Sequence, residues 1–153
     1  MTPEELIKKL NNLSEELRKE CAEIIAETAI EYYKKSFREK SFDGTAWRRT
    51  KKTTGSTLIE SGNLMNSIRP IEITAEKVVI AAGNEKIAYA RVHNEGGIQY
   101  VKPHHRTWTR TGKRYQVQAY TQKQWKRQYM GYSKEMFDII DKRINGYIKS
   151  QLK

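Results

Sequence analysis

The longest predicted helix lies in residues 2–40, TPEELIKKLNNLSEELRKECAEIIAETAIEYYKKSFREK. Thr2 can cap a helix, Pro3 suits the first helical position, and Glu5 can complete a capping box. Apolar side chains then recur at spacings of three and four, which predicts an amphipathic helix. Because a helix from Pro3 to about Lys40 would be about 55 Å long, we expect part of it to project or to pack on a neighbouring subunit.

The remainder of the chain predicts a second helix and several short strands. Residues 41–56 show neither helical nor strand periodicity and are expected to form an extended loop, whereas Ser133 can cap a final amphipathic helix. The shorter predicted elements are a helix over 62–66 capped by Ser61, strands over 68–74 and 77–82, an element of undetermined type over 87–94, and a hairpin with strands 106–110 and 114–121. The expected fold is α+β, with a long N-terminal helix and a C-terminal helix packed on a small, mostly antiparallel sheet, in one domain spanning residues 1–153.

Composition argues against a membrane protein and against a disulfide-stabilised one. The chain is 37% apolar and 31% charged, which is ordinary for a globular domain. No apolar run approaches the roughly 20 residues that cross a bilayer, and the N-terminus lacks the apolar centre of a secretion signal. Cys21 is the only cysteine, so no internal disulfide can form. We expect Cys21 to be a buried helix residue, the protein to be made in a cytoplasm, and no membrane to be among its partners.

The net charge of +11 is concentrated in one quarter of the chain. Residues 1–40 carry 8 basic and 9 acidic groups, and residues 41–95 carry 8 and 6. Residues 96–134 carry 9 Lys or Arg and neither Asp nor Glu. A local excess of positive charge predicts a local partner of opposite charge.

The basic stretch also contains aromatic residues, and its hairpin region covers about residues 98–127. Aromatic faces interleaved with cations are typical of single-stranded nucleic-acid binders. Trp and Arg are also enriched at protein interfaces, and an ordinary solvated hairpin shows the same alternation. The basic stretch is therefore consistent with three interpretations, which are contact with nucleic acid, contact with an acidic protein partner, and a solvated face. The predicted partner or DNA contacts are Lys102, Arg106, Trp108, Arg110, Lys113, Arg114, Lys123, Lys126 and Arg127.

The sequence lacks the patterns of common catalytic sites. Neither Ser61 nor Cys21 has the glycine pattern that presents a nucleophile on a tight turn, and no glycine-rich phosphate-binding loop occurs. The histidines at 93, 104 and 105 are not joined by cysteine or by clustered carboxylates, as a metal site requires. We therefore predict no enzymatic activity, no cofactor and no metal site.

Three ordered blocks resemble the phage virion morphogenesis family, that is, Mu-type tail-completion proteins and related neck proteins. The first block consists of two segments, residues 42–47, FDGTAW, and residues 58–68, LIESGNLMNSI. They are similar to that family's D-G-x-x-W and L-x-x-[ST]-G-x-L-x-x-S-[IL] patterns. The second block, AYARVHNEGG at 88–97, resembles the family's Y-A-x-[IV]-H-x-x-G-G pattern. The third block, RQYMGYS at 127–133, resembles the R-P-F-[LM]-G-x-S pattern that opens the last helix. Gln128 stands where the family usually has proline, and the basic stretch between the last two blocks matches no family pattern.

The residue types in the matched blocks are typical of structural roles rather than of catalytic ones. Glycines permit tight turns, a tryptophan supplies a large anchor, and serines cap helices. The ring of His93 is expected to hydrogen-bond and to hold the following Gly-Gly turn. The structural residues of the motifs are Gly44, Trp47, Ser61, Gly62, His93, Gly96, Gly97 and Ser133.

The resemblance implies a structural virion protein, a tail-completion or head–tail joining subunit located in the tail or neck. It also implies a homo-oligomeric ring, expected to contain six copies, whose partners are other neck, connector or tail-tube proteins of the phage. Non-specific contact with DNA that passes through the neck is a further expectation. The alternative from the residues alone is a stand-alone basic nucleic-acid-binding protein.

Overall fold

The computed structural model describes residues 1–51, 57–59, 61–85, 87 and 89–152. These residues form an α+β fold, which confirms the predicted fold class. The helices are α1 Pro3–Leu10, α2 Glu15–Glu39, α3 Asn63–Asn66, α4 Ala90–Glu95 and α5 Lys134–Gln151. The strands are β1 Ser41–Phe42, β2 Thr45–Ala46, β3 Arg69–Ile73, β4 Val78–Ala81, β5 Gly97–Val101, β6 His104–Thr107, β7 Arg114–Val117 and β8 Tyr120–Gln124.

The prediction of one continuous N-terminal helix is wrong, because the chain breaks between α1 and α2. Asn11 ends α1, and Ser14 begins α2 by accepting a hydrogen bond from the Leu17 N–H at 3.4 Å. Asn and Ser side chains compete with the helical ladder for backbone hydrogen bonds, which favours a break over a continued helix. The capping box predicted at Thr2 is present, with both of its hydrogen bonds to Glu5.

The first helix lies against the last helix of the same chain. Lys9 Nζ is 2.5 Å from the Asp141 carboxylate and 2.6 Å from the Asn145 side-chain oxygen, and the N-terminal amino group is 2.9 Å from the Asp138 carboxylate. The expected projection of the N-terminal segment is therefore wrong. The 25 residues of α2 span about 37 Å and form the central element of the body.

The core lies between α2, α5 and the short elements beside them. Phe37, Tyr129 and Ile140 are almost completely buried. Cys21 is also fully buried on α2, as the sequence predicts. The Phe37 ring packs 4.9 Å from the ring of Tyr129, which joins α2 to the segment that precedes α5.

The strands pair as separate two-stranded ladders within the described residues, all of them antiparallel. The predicted hairpin of β3 and β4 is present, and its register is irregular between Pro70 and Glu72. Proline lacks the N–H that a regular ladder uses, so an irregularity at this point is expected. The loop predicted for 41–56 begins instead with a tight hairpin of β1 and β2; residues 52–56 lie outside the described residues.

The basic stretch forms one long hairpin, which we call the arm, residues 97–124. Val101 pairs with Tyr120, and the register resumes unchanged with His104 opposite Val117. Pro103 lies in the gap between the two ladders, where its missing N–H is tolerated. The first strand of the predicted hairpin, 106–110, was placed too far along the chain, because the segment from Trp108 to Lys113 is the turn, whereas the predicted second strand begins with β7 at Arg114.

Candidate functional site

The base of the arm is held by contacts among the three sequence blocks. Trp47 is buried, its ring meets Phe37 edge-on at 5.6 Å, and its indole N–H donates to the Gln128 carbonyl at 2.7 Å. Gln128 Nε2 donates in turn to the Met130 carbonyl at 3.2 Å. The first block is therefore fixed directly to the third.

Asn94 joins the second block to the third, and sequence reasoning did not single it out. Its side-chain oxygen accepts hydrogen bonds from the Tyr129 N–H at 2.9 Å and from the Met130 N–H at 3.0 Å. The Tyr129 hydroxyl donates to the Ala90 carbonyl at 2.8 Å, which adds a second tie between the same segments. The sequence gives no local signal for this role, because the backbone donors lie 35 and 36 residues further along the chain.

The His93 ring was predicted to hydrogen-bond and to hold the following Gly-Gly turn, and the structure shows a different arrangement. Its Nδ1 is buried and has no hydrogen-bond partner among the described residues. The His93 carbonyl, rather than the ring, accepts from the Arg127 N–H at 2.8 Å. The ring packs edge-on against Tyr89 at 5.6 Å, and burial, with a smaller contribution from Arg127, lowers its pKa. His93 therefore contributes to packing at the base of the arm and supplies a backbone acceptor.

Gly96 permits the close approach of the returning strand at the base of the arm. Its φ is +77°, and a Cβ at this position would lie 3.0 Å from the Lys126 backbone nitrogen. A side chain at 96 would therefore be strained both by backbone conformation and by lack of space.

The two predicted serine caps have different outcomes, one at α3 within the first block and one at α5 after the third block. At α3 the cap position is Gly62 rather than Ser61, although the Ser61 hydroxyl accepts from the Asn63 N–H at 3.4 Å. At α5 Ser133 is the cap and accepts from the Met136 N–H at 3.2 Å. The Ser133 hydroxyl also donates to the Asp43 carboxylate at 2.7 Å, so the cap ties the β1–β2 turn to α5.

The arm carries large side chains that the rest of the chain leaves exposed. Ile98 is 74% exposed, Tyr100 61% and Trp108 59%. Near the turn, the Trp108 ring lies 5.6 Å from the ring of Tyr115. The exposed residues among the predicted contacts are Lys102, Arg106, Trp108, Arg110, Lys113, Arg114, Lys123 and Lys126. Within the described ranges, none of the arm's cations forms an ion pair.

Arg127 is a correction to the predicted set of surface contacts. It is only 8% exposed, and its Nε donates to the Arg48 carbonyl at 3.3 Å. Burial, with a further contribution from the neighbouring guanidinium of Arg48, lowers the pKa of Arg127. Its charge therefore lies inside the base of the arm and not on the arm's surface.

A cavity of about 960 Å³ lies where the arm meets the body. Two cations lie over the Trp125 ring here, with Arg48 3.6 Å and Lys123 4.5 Å from its centre. No carboxylate is present among the described lining residues. The described cations that line the cavity are Arg48, Arg49, Lys51, Lys123 and Arg127. The cavity is therefore a second positively charged surface, separate from the outer part of the arm.

None of the described helices is both long and apolar enough to cross a membrane. Across the same part of the chain, no three His, Cys, Asp or Glu side chains are grouped as metal ligands.

Comparison with known proteins identifies the family of the chain. No significant match was found among curated proteins or among solved structures. A family model, that of the phage virion morphogenesis family, matches residues 3–153. This range includes all three blocks and the arm. The match supports a role in phage virion morphogenesis and an association with the virion. The chain therefore belongs to the phage virion morphogenesis family.

Proposed function

We propose that this protein is a structural subunit that completes the tail or joins it to the head, and that it acts as a homo-oligomeric ring at the neck. The ring is proposed to contain six copies and to contact other neck, connector or tail-tube proteins. In this proposal the subunit acts through surface complementarity and carries out no catalytic step.

The observation that carries the proposal is the exposed surface of the arm. Ile98, Tyr100 and Trp108 are each more than half exposed, and large apolar or aromatic side chains exposed on a surface are typical of protein interfaces. The arm is anchored at its base by Asn94 and Trp47, which holds its direction relative to the body. A rigidly anchored projection with apolar and cationic side chains is well suited to contact between virion subunits.

The test is the location and effect of the subunit in assembled particles. We expect particles made without the gene to accumulate as unjoined heads and tails, and a density label on the subunit to appear as a ring at the neck. Normal particles in the absence of the gene, or a label found elsewhere on the virion, would overturn the proposal.

A second candidate function is stand-alone nucleic-acid binding. It is favoured by the cationic cavity, where Arg48 and Lys123 both contact the Trp125 ring, because aromatic rings and cations are used to bind single strands. The two candidates differ in the salt dependence of DNA binding by the purified protein. A monomer whose DNA affinity falls steeply with salt, with several ions released on binding, would favour this second function over the ring.

A further inference from the structure

An acidic stripe runs along one exposed face of α2. Its members are separated by four, three, four and four residues, which places them on one side of a helix over about 22 Å. All of them are exposed. The members of the stripe are Glu16, Glu20, Glu23, Glu27 and Glu31.

The stripe is largely without counter-charges within its own chain. In the described part of the protein, only Glu31 forms an ion pair, with Arg143 at 2.7 Å. Glu16 with Glu20, and Glu23 with Glu27, are like-charged pairs four residues apart, an arrangement that destabilises an isolated helix. An external cationic surface would remove this repulsion.

The arm has a cationic face that is longer than the stripe. Ile98 is opposite Lys123 and Arg106 is opposite Tyr115, and cross-strand partners share a face of a hairpin. Because the register is unbroken, residues at every second position of β5 and β6 lie on the same face. The arm extends over ten residue steps from 97 to 107, or about 33 Å. Two cations of this face, Arg106 and Lys123, lie in strands. Continuing the alternation adds Lys102 in the gap between the ladders and Lys113 at the end of the turn.

We infer that the arm of one subunit lies along the acidic stripe on α2 of a second copy of this chain. The two surfaces are complementary in charge, the arm is long enough to span the stripe, and the charged side chains named on both surfaces are exposed. Since the two surfaces are different, the contact is heterologous, and repeating it generates a ring when the rotation closes. This inference rests on the proposed ring and identifies the surfaces that hold it together.

The experiment is a charge exchange measured by sedimentation velocity at low and high salt. The arm variant reverses Arg106 and Lys113 to Glu, and the stripe variant reverses Glu23 and Glu27 to Lys. We expect the wild-type protein to self-associate at low salt and to dissociate as salt rises. Each variant should weaken self-association about tenfold or more, and the chain that carries both pairs of changes should recover most of it.

The matched control reverses Lys142 and Lys149 on α5 to Glu, which changes the net charge by the same amount at exposed positions that belong to neither the arm nor the stripe. The control should self-associate more strongly than the arm variant. Circular dichroism should show all variants folded, since every substituted side chain is exposed. A zero-length carbodiimide cross-linker applied to mixed isotope-labelled chains provides a second measurement. It should join arm lysines to stripe glutamates of another chain.

Three outcomes would overturn the inference. They are a wild-type protein that stays monomeric at low salt and high concentration, a double exchange that restores nothing, and an arm variant that loses DNA binding while self-associating normally. The last outcome would assign the arm to nucleic acid. A neck-located ring whose assembly is insensitive to these charges would leave the proposed function standing and remove only the inference. Charge-dependent self-association of a subunit absent from the neck would leave the inference standing and remove the proposed location at the neck.

Discussion

Replacing Asn94 with Ala should destabilise the fold by removing the acceptor that holds the third sequence block against the second. The Asn94 side-chain oxygen accepts from the N–H groups of Tyr129 and Met130 at 2.9 and 3.0 Å, and both bonds are partly buried. A hydrogen bond contributes about 1 kcal/mol net, and a donor left unsatisfied in a partly buried site costs about 1–3 kcal/mol. Losing two bonds should therefore lower the free energy of unfolding by about 2–4 kcal/mol.

The assay is urea unfolding followed by tryptophan fluorescence and by circular dichroism. At about 2–4 °C per kcal/mol for a chain of this size, the melting temperature should also fall by about 5–15 °C. Asn94→Asp is the matched control, because a carboxylate oxygen at the same position can still accept both bonds. The control should lose much less stability than the alanine variant. An alanine variant within about 0.5 kcal/mol of wild type, or an aspartate variant that is equally destabilised, would refute this account of the junction.

Three other predictions concern the cap, the core and the arm. Ser133→Ala should cost about 1–2 kcal/mol and more than Ser14→Ala, because Ser133 also donates to Asp43, and paired urea titrations of the two variants check this order. Burial raises the pKa of Tyr129 to about 12, so its contribution to stability should be complete below the unfolded tyrosine pKa of about 10 and should be lost as pH rises from there towards 12. Tyr129→Phe should flatten that part of the stability–pH curve, and an unchanged curve would contradict the assignment. Simultaneous change of four exposed arm cations to Gln should leave the melting temperature within a few degrees of wild type but impair particle assembly, and insoluble protein would show that the arm has a folding role. These four cations are Arg106, Arg110, Lys113 and Arg114.

Local features of the fold could be predicted because they depend on neighbours in sequence. The Ser133 cap, the capping box at Thr2 and the β3–β4 hairpin each depend on side chains within a few residues of the backbone they bond. The same reasoning failed at residues 11–14. There the apolar spacing of a long helix persisted across a break that the Asn and Ser side chains favour.

The candidate site was only partly predictable because its geometry joins distant segments. The uneven distribution of charge along the sequence located the arm, and the exposed positions of Arg106 and Lys113 follow from alternation along a hairpin. The charge pattern did not distinguish the buried Arg127 from the exposed cations, since its burial results from packing against the body near Arg48. The importance of Asn94 likewise depends on backbone donors 35 and 36 residues away.

By itself the sequence determined the α+β class, the location of the excess positive charge and the resemblance to the family that the comparison then showed. Composition, periodicity and short motifs are properties of the chain and do not depend on how distant segments meet. Tertiary structure decided that α1 lies along α5, that Arg127 is buried while the arm is exposed, and that the acidic stripe of α2 faces outwards. Burial and long-range hydrogen bonds exist only after distant segments have been brought together, so these features could be established only from the folded chain.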